Sequence, residues 1–399
     1  MSRIINTVLI IILVCTFQDM KAQAETNYTF VGHSDRINTL DSLIQHAESL
    51  ALNKNEYKHG FDMALNAGTK ADSLLMKIAI HFFHDLAYGN HAPVLKYEGV
   101  DFKLNAFNIP VLVNDYANHK SLAALVHYFN NSNPEVATIL QTLKIYKDSS
   151  KQIASKIMLL KKAANEFRWL NAIKQDNRII LINIPSAQLR AFDHNRTVLK
   201  MKVIVGKQST PTNTLSSPIE KITINPYWMV PKSIATKEML PKILKDLAYF
   251  ERNNLQVLND NYKVVAPSKI NWGNYSEEYF PFTIRQGTGC DNSLGLLKVE
   301  FDSPFGIYLH DTPEKGLFGT ANRFYSHGCM RMEKPIDMGR WLLENNAKAI
   351  DTIDFNKCYR DPAPKSIPVT LSTKIIVWYS LVDFDNNGNL KFYKNIYDK

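Results

Sequence analysis

The chain has 399 residues, of which 47 are Lys or Arg and 38 Asp or Glu, giving a formal charge of +9, and 45% are hydrophobic with 11% aromatic. So apolar a composition excludes a mainly disordered chain, and the lack of a fixed-period repeat excludes solenoids and fibres. At roughly 100–200 residues per domain the length predicts two domains, and the basic balance suits an acidic partner such as a wall polymer or a lipid headgroup surface, with nothing pointing to nucleic acid.

Residues 1–24 have the pattern of an export signal. Arg3 supplies a positive start, 4–17 is almost unbroken aliphatic, and Ala22-Gln23-Ala24 gives the small-x-small pattern that a signal peptidase cuts. Beyond it no apolar run approaches the ~20 residues a bilayer span needs, so the expectation is a protein exported to the periplasm or cell envelope rather than an integral membrane protein. Loss of Cys15 with the signal leaves Cys290, Cys329 and Cys358, an odd number in a compartment where disulfides form, so one thiol stays unpaired unless it bridges to another chain.

From about 34 to 167 the apolar period is helical. Leu40, Leu43, Ile44 and Ala47 recur at three- and four-residue steps, as do Leu74, Leu75, Ile78 and Phe82, with Asp72 or Ser73 as candidate caps. Similar patterns at 121–129 and 149–167 complete an all-helical domain over 25–170. His81 and His84 share a helix face, but without a third ligand nearby they imply packing or exposure rather than a metal.

Near Asn177 the period changes from 3.6 to 2 and marks a second, β-rich domain over 171–399. Short strands are predicted at 178–184, 187–192, 199–205, 219–225, 282–285, 296–301 and 307–310, helical pieces at 236–252 and 335–346, and a strand-rich tail at 369–383. The absence of βαβ alternation excludes a doubly wound nucleotide fold, and the fold class is α+β. The insertion at about 236–270 suits a lid over a cleft. Gly287-Thr288-Gly289 is a turn, and the aromatic stretch Trp272, Tyr275, Tyr279 and Phe280 serves packing.

Chemistry concentrates in Ile307-Tyr308-Leu309-His310-Asp311-Thr312-Pro313 and Ser326-His327-Gly328-Cys329-Met330-Arg331-Met332. A free thiol with a pKa near 8.5 is only a few per cent ionised at neutral pH and needs a base. His310 ends a predicted strand, and a loop with Pro313, Gly316 and Gly319 can return Cys329 beside it. Gly328 lacks a Cβ, so the Gly328 and Cys329 amides can approach an oxyanion, and Arg331 offers a planar fork to a carboxylate.

The sequence His310-Asp311-Thr312-Pro313 followed by Ser326-His327-Gly328-Cys329-Met330-Arg331 resembles the signature of the L,D-transpeptidases with a YkuD catalytic domain. Arg168-Trp169, Lys202 to Lys207, Asn225-Pro226-Tyr227-Trp228, Asn292 to Gly295 and Arg340-Trp341 resemble the large periplasmic branch of that family, which carries a helical scaffold domain. The resemblance implies an acyltransferase of peptidoglycan biosynthesis, acting in cell wall biogenesis and cell shape. Its partners are donor and acceptor stem peptides, its inhibitors carbapenem-type, and it has no cofactor and no metal. It implies Cys329 as nucleophile, His310 as base, the Asp311 carbonyl as the group orienting that imidazole, His327 and Gly328 in the oxyanion region, Arg331 as a carboxylate contact, Tyr227 and Trp228 as cleft walls, and Ser326 toward substrate. The donor bond would lie between stem residue 3 and D-alanine at position 4, yielding 3-3 cross-links through a thioester; hydrolysis would make it an L,D-carboxypeptidase or another cysteine wall-peptide hydrolase. Asp311 stands where relatives often have glycine, and His327 where the large branch often has serine. A Cys290–Cys358 disulfide would leave Cys329 free.

Two other chemistries fit less well. Papain-like hydrolases place the cysteine before the histidine at a helix start, the reverse of the order here. No serine is followed three residues later by lysine, as a serine D,D-transpeptidase requires. A decayed wall-binding scaffold would have lost His310, Gly328 or Cys329, and all three are present.

Overall fold

The computed structural model describes residues 29–146, 151–351, 353 and 362–398. The export signal at 1–24, Cys15, Cys358 and residues 149–150 of the last predicted helix lie outside the described residues. The chain divides into two compact units, one comprising residues up to Ala92 with Lys103–Ile173, the other Pro93–Phe102 with the chain from Lys174 onward.

The first unit is helical: α1 (Ser34–Gln45), α2 (Asn55–Leu65), α3 (Ala71–Tyr88), α4 (Ile109–His119), α5 (Leu122–Asn131), α6 (Pro134–Tyr146) and α7 (Lys151–Ile173). Leu40, Ile44, Phe61, Leu75, Phe82 and Phe83 are fully or almost fully buried in one core, each contributing roughly 1.5–3 kcal/mol of burial free energy. Ser121 caps α5, its side chain accepting from the Ala124 N–H. Asp72 is not a cap: α3 begins one residue earlier, at Ala71, and Asp72 accepts the N–H groups of Phe30 at 2.5 Å and Val31 at 2.7 Å, tying down the preceding chain. His81 and His84 face a buried carboxylate on the same helix, with His81 Nε2 3.3 Å and His84 Nδ1 3.4 Å from Asp85, which also accepts the Tyr57 hydroxyl at 2.7 Å. Among the described residues no group of three His, Cys, Asp or Glu is placed to hold a metal ion, and no helix is long and apolar enough to cross a membrane.

The second unit is β-rich. Its strands are β1 (Tyr97–Glu98), β2 (Arg178–Asn183), β3 (Gln188–Asp193), β4 (Arg196–Gly206), β5 (Leu215–Ile224), β6 (Trp228–Met229), β7 (Leu255–Leu258), β8 (Val264–Val265), β9 (Thr283–Gln286), β10 (Leu297–Phe301), β11 (Leu309–His310), β12 (Phe324–Ser326), β13 (Met330–Met332), β14 (Lys365–Pro368), β15 (Thr373–Trp378), β16 (Val382–Phe384) and β17 (Leu390–Phe392). The main sheet runs β1-β5-β10-β11-β13-β4-β3-β2-β15, and a β5–β15 pairing closes the path on itself. Strand β5 does this by giving Leu215–Pro218 to β15 and its second half, Ile219–Ile224, to β10. The inward side chains, among them Val203, Val205, Ile222, Leu297, Val299, Leu309, Met330 and Met332, form a continuous core that α8 (Pro335–Leu343) covers with Met338 and Leu342. Strand β1, within the region whose periodicity is helical, pairs in parallel with β5 and belongs to this unit. Two residues are too few to show an alternation in the sequence.

The insertion holds a sheet as well as helical pieces. Strands β6, β9, β7 and β8 form a separate four-stranded sheet, with its own core of Val230, Met239, Ile243, Phe250, Val257, Trp272, Phe280 and Ile284. The single helix expected at 236–252 is broken into Lys232–Ile234, a wide π turn at Ala235–Met239, Leu240–Ile243 and Tyr249–Arg252. Pro241 has no N–H to return to the Lys237 carbonyl, so the ladder widens there. Trp272 packs among Phe250, Tyr275, Phe280 and Phe282, and its indole N–H donates to the Pro267 carbonyl at 3.0 Å.

The C-terminal tail is fastened by a buried charge. Asp383, fully inaccessible, accepts from Arg190 at 2.7 Å, Ser186 at 2.8 Å and Asn183 at 2.9 Å. Removing the Asp383 carboxylate takes from the buried Arg190 guanidinium its charged acceptor, at a cost of about 3–5 kcal/mol. Chemical denaturation of Asp383→Ala is expected to show a loss of that size; a loss below about 1 kcal/mol would contradict the account.

Candidate active site

The site is an outcome of strand alternation. In the parallel pair β11–β13, Leu309 lies opposite Met330 and His310 opposite Arg331; in the antiparallel pair β10–β11, Lys298 lies opposite His310. Successive side chains in a strand point to opposite faces. Leu297, Leu309 and Met330 therefore enter the core, while Lys298, Glu300, Tyr308, His310, Cys329 and Arg331 share the other face. Cys329 follows His310 by 19 positions in the chain, and the sheet removes that separation.

The turn before Cys329 is held from beneath. Ser326 is buried, and its Oγ donates to the Cys329 carbonyl at 2.5 Å while accepting the Gly328 N–H at 3.2 Å. Buried Thr212 donates to the Gly328 carbonyl at 2.8 Å and accepts the Gly206 N–H at 2.9 Å. Gly328 has φ +117, a conformation that disfavours any side chain. Among the described residues no main-chain acceptor meets the Cys329 N–H, whereas the Gly328 amide is already engaged by Ser326. Ser326 is thus a brace of the turn rather than a group directed at substrate.

His310 is fixed by its own neighbour. Its Nδ1 lies 2.5 Å from the Asp311 main-chain carbonyl, an oxygen that can only accept, so Nδ1 carries the proton and Nε2 presents a lone pair. The Asp311 side chain does separate work. It accepts the Leu296 N–H at 2.9 Å and the Thr312 N–H at 2.7 Å and pairs with Lys315. Gly295, at φ +60, lies so close that a Cβ there would overlap the Asp311 carboxyl.

Burial sets the charge state of both reacting groups. It drives His310 down to about 3, with Arg331, Lys298 and Lys315 pushing the same way and the Asp311 carbonyl opposing. It also pushes the Cys329 thiol up, against the Tyr308 N–H and hydroxyl, Lys298 and Arg331, which favour the thiolate. At rest the imidazole and the thiol, both on this sheet face, are neutral. Tyr308 has its own titration raised, first by burial and then by the cysteine it faces, and its hydroxyl also meets Trp228.

The remaining candidates sit around this centre. His327 Nε2 is 2.7 Å from Glu238 of the insertion and 3.5 Å from Lys207 Nζ. The Arg331 guanidinium pairs with Glu314, whose carboxylate occupies the fork. Tyr227 is exposed beneath the Arg285 guanidinium, 4.3 Å from its ring centre, and Trp228 reaches Tyr308. Cys290 is disulfide-bonded, and Cys329 is the free thiol among the described residues. Sequence reasoning gave no role to Tyr308 or Lys298. The period-2 offset of Tyr308 from His310 was the available signal, but Lys298 comes from another strand whose register only the fold supplies.

The depressed His310 has a consequence for stability. Unfolded imidazole titrates near 6.5, so between about 6.5 and about 3 the unfolded chain holds a proton that the native chain refuses, and stability falls as pH drops through that window. Melting temperatures measured from pH 7 to pH 4 should therefore fall more steeply for the wild type than for His310→Gln. Parallel curves would contradict a buried neutral imidazole.

The family model described as the L,D-transpeptidase catalytic domain, YkuD, matches residues 177–364, and that for a Scaffold domain matches residues 22–143. A Haemophilus influenzae protein named "Putative L,D-transpeptidase" is 31% identical over 258 residues, covering 65% of this chain and 51% of that protein. The chain thus spans about half the length of the curated relative it matches. An L,D-transpeptidase from Mycobacterium smegmatis aligns at 16% identity over 50% of this chain and 58% of that one, with a TM-score of 0.21. L,D-transpeptidase 3 from Mycobacterium tuberculosis, in complex with a faropenem-derived adduct, aligns at 12% over 50% and 60%, with a TM-score of 0.24. The chain thus carries a region that matches the YkuD L,D-transpeptidase catalytic domain, preceded by a region that matches the Scaffold domain.

Proposed function

We propose that the chain is a cysteine-dependent peptidoglycan L,D-transpeptidase, exported to the cell envelope, that joins stem peptides through a thioester. The observation that carries this reading is the common sheet face bearing Tyr308, His310, Cys329 and Arg331. His310 Nε2 takes the Cys329 proton as sulfur attacks the carbonyl between stem residue 3 and D-alanine. The Cys329 N–H receives the oxyanion, and the Tyr308 hydroxyl steadies negative charge on sulfur. Collapse of the tetrahedral species breaks the C–N bond, and the imidazolium returns its proton to the leaving D-alanine amine. A side-chain amine of a second stem then attacks the thioester, giving up its proton to His310 and restoring the thiol. Arg331 recognises a stem carboxylate, which must first displace Glu314. That exchange costs little, because ion pairs with an exposed partner are worth about 0–1 kcal/mol.

The test uses residues 25–399 and a carbapenem, whose strained lactam carbonyl stands in for the scissile amide. Intact-mass measurement is expected to show one acyl adduct on the wild type and none on Cys329→Ala. A folded wild type that gains no adduct would overturn the reading. With tetrapeptide stems, muropeptide analysis is expected to show 3-3 dimers; release of D-alanine without dimers would make the enzyme a carboxypeptidase.

A further inference from the structure

We infer that Lys298 is a positioning residue for the nucleophile: its ammonium group, locked by Glu300 against the face of the Tyr308 ring, holds the phenol on the Cys329 sulfur and favours negative charge there. The inference rests on the cysteine chemistry proposed above and adds to it a residue on a strand that the catalytic sequence motif does not include.

Three geometric observations converge on it. Lys298 lies directly opposite His310 in the β10–β11 ladder, so its side chain emerges on the reactive face. Its Nζ stands 4.2 Å from the centre of the Tyr308 ring, and a cation in that position is attracted to the ring and polarises it, making the phenolic O–H a better donor. The ammonium is held by Glu300, two residues along the same strand, at 2.6 Å. Glu300 is itself fixed by the Thr223 hydroxyl at 2.9 Å and flanked by Lys221 Nζ at 3.7 Å, both from β5. The Tyr308 and His310 rings meet edge to face at 5.7 Å, so displacing Tyr308 would disturb the base as well as the sulfur.

The groups acting on the thiol are Tyr308, just before β11, Lys298 on β10 and Arg331 on β13; Glu300 pairs with Lys298 and Glu314 with Arg331, while His310 on β11 feels Lys298, Arg331 and Lys315. Lys298 and Arg331 act in the same direction on both reacting groups, favouring thiolate at Cys329 and opposing imidazolium at His310. An imidazolium so disfavoured is a strong acid, ready to protonate the leaving amine. Both cations carry a carboxylate partner, Glu314 on Arg331 and Glu300 on Lys298; what sets Lys298 apart is its place over the ring of the phenol that meets the sulfur.

The experiment measures the pH dependence of Cys329 alkylation by iodoacetamide in residues 25–399, a reading that does not depend on which peptide the enzyme accepts. Lys298→Met is expected to move the alkylation midpoint up by about one pH unit, and Lys298→Arg, which keeps a cation over the ring, to leave it near the wild-type value. In a Tyr308→Phe background the Lys298→Met shift should shrink by at least about half, because the hydroxyl that transmits the effect is gone. The folded state of each variant is checked by its near-ultraviolet circular dichroism. An unchanged midpoint in Lys298→Met, or an equal shift with and without the Tyr308 hydroxyl, would overturn the inference. Parallel carbapenem acylation separates the two claims: adduct formation with an unmoved midpoint defeats only the role of Lys298, whereas a shifted midpoint without any adduct defeats the transpeptidase reading.

Discussion

The catalytic face depends on two residues of β11 pairing in parallel with β13. That short ladder places His310 opposite Arg331, and one further step of the alternation brings Tyr308 level with Cys329. The hydrogen bond from His310 Nδ1 to the carbonyl of the next residue then fixes the ring. Both constraints are main-chain in origin, so they tolerate the aspartate at 311. The side chain there is engaged elsewhere, on Leu296, Thr312 and Lys315, and stiffens the loop that carries the base.

Burial serves and opposes the chemistry at once. It keeps His310 neutral and therefore able to accept a proton, yet it raises the cost of ionising Cys329. The surrounding donors and cations offset the second effect without being neutralised by it. A thiol held protonated at rest is less open to oxidation than a thiolate. Two outer groups carry acidic partners, Glu314 on Arg331 and Glu238 on His327.

The order of the domains, most strands of the closed sheet and the cluster from His310 to Arg331 were legible because each leaves a local trace. A change of period from 3.6 to 2 marks the boundary, and dense His, Gly, Cys and Arg mark the chemistry. What was not legible depended on pairing between distant segments. Strand β1 is two residues long and has no alternation to detect. The insertion's own sheet draws on Trp228–Met229 and Thr283–Gln286, about 55 residues apart, and Pro241 breaks a helix that apolar spacing alone would continue. Ser326 reads as part of a substrate-facing motif, but its place at the end of β12 turns the hydroxyl inward, under the Cys329 carbonyl.

The central claim is that His310 presents an unprotonated Nε2 to Cys329 in a neutral ring whose proton is fixed on Nδ1. Nitrogen-15 chemical shifts of the His310 ring at pH 7 measure this directly. The account predicts a protonated Nδ1 and a bare Nε2; an imidazolium, or a proton residing on Nε2, would contradict it.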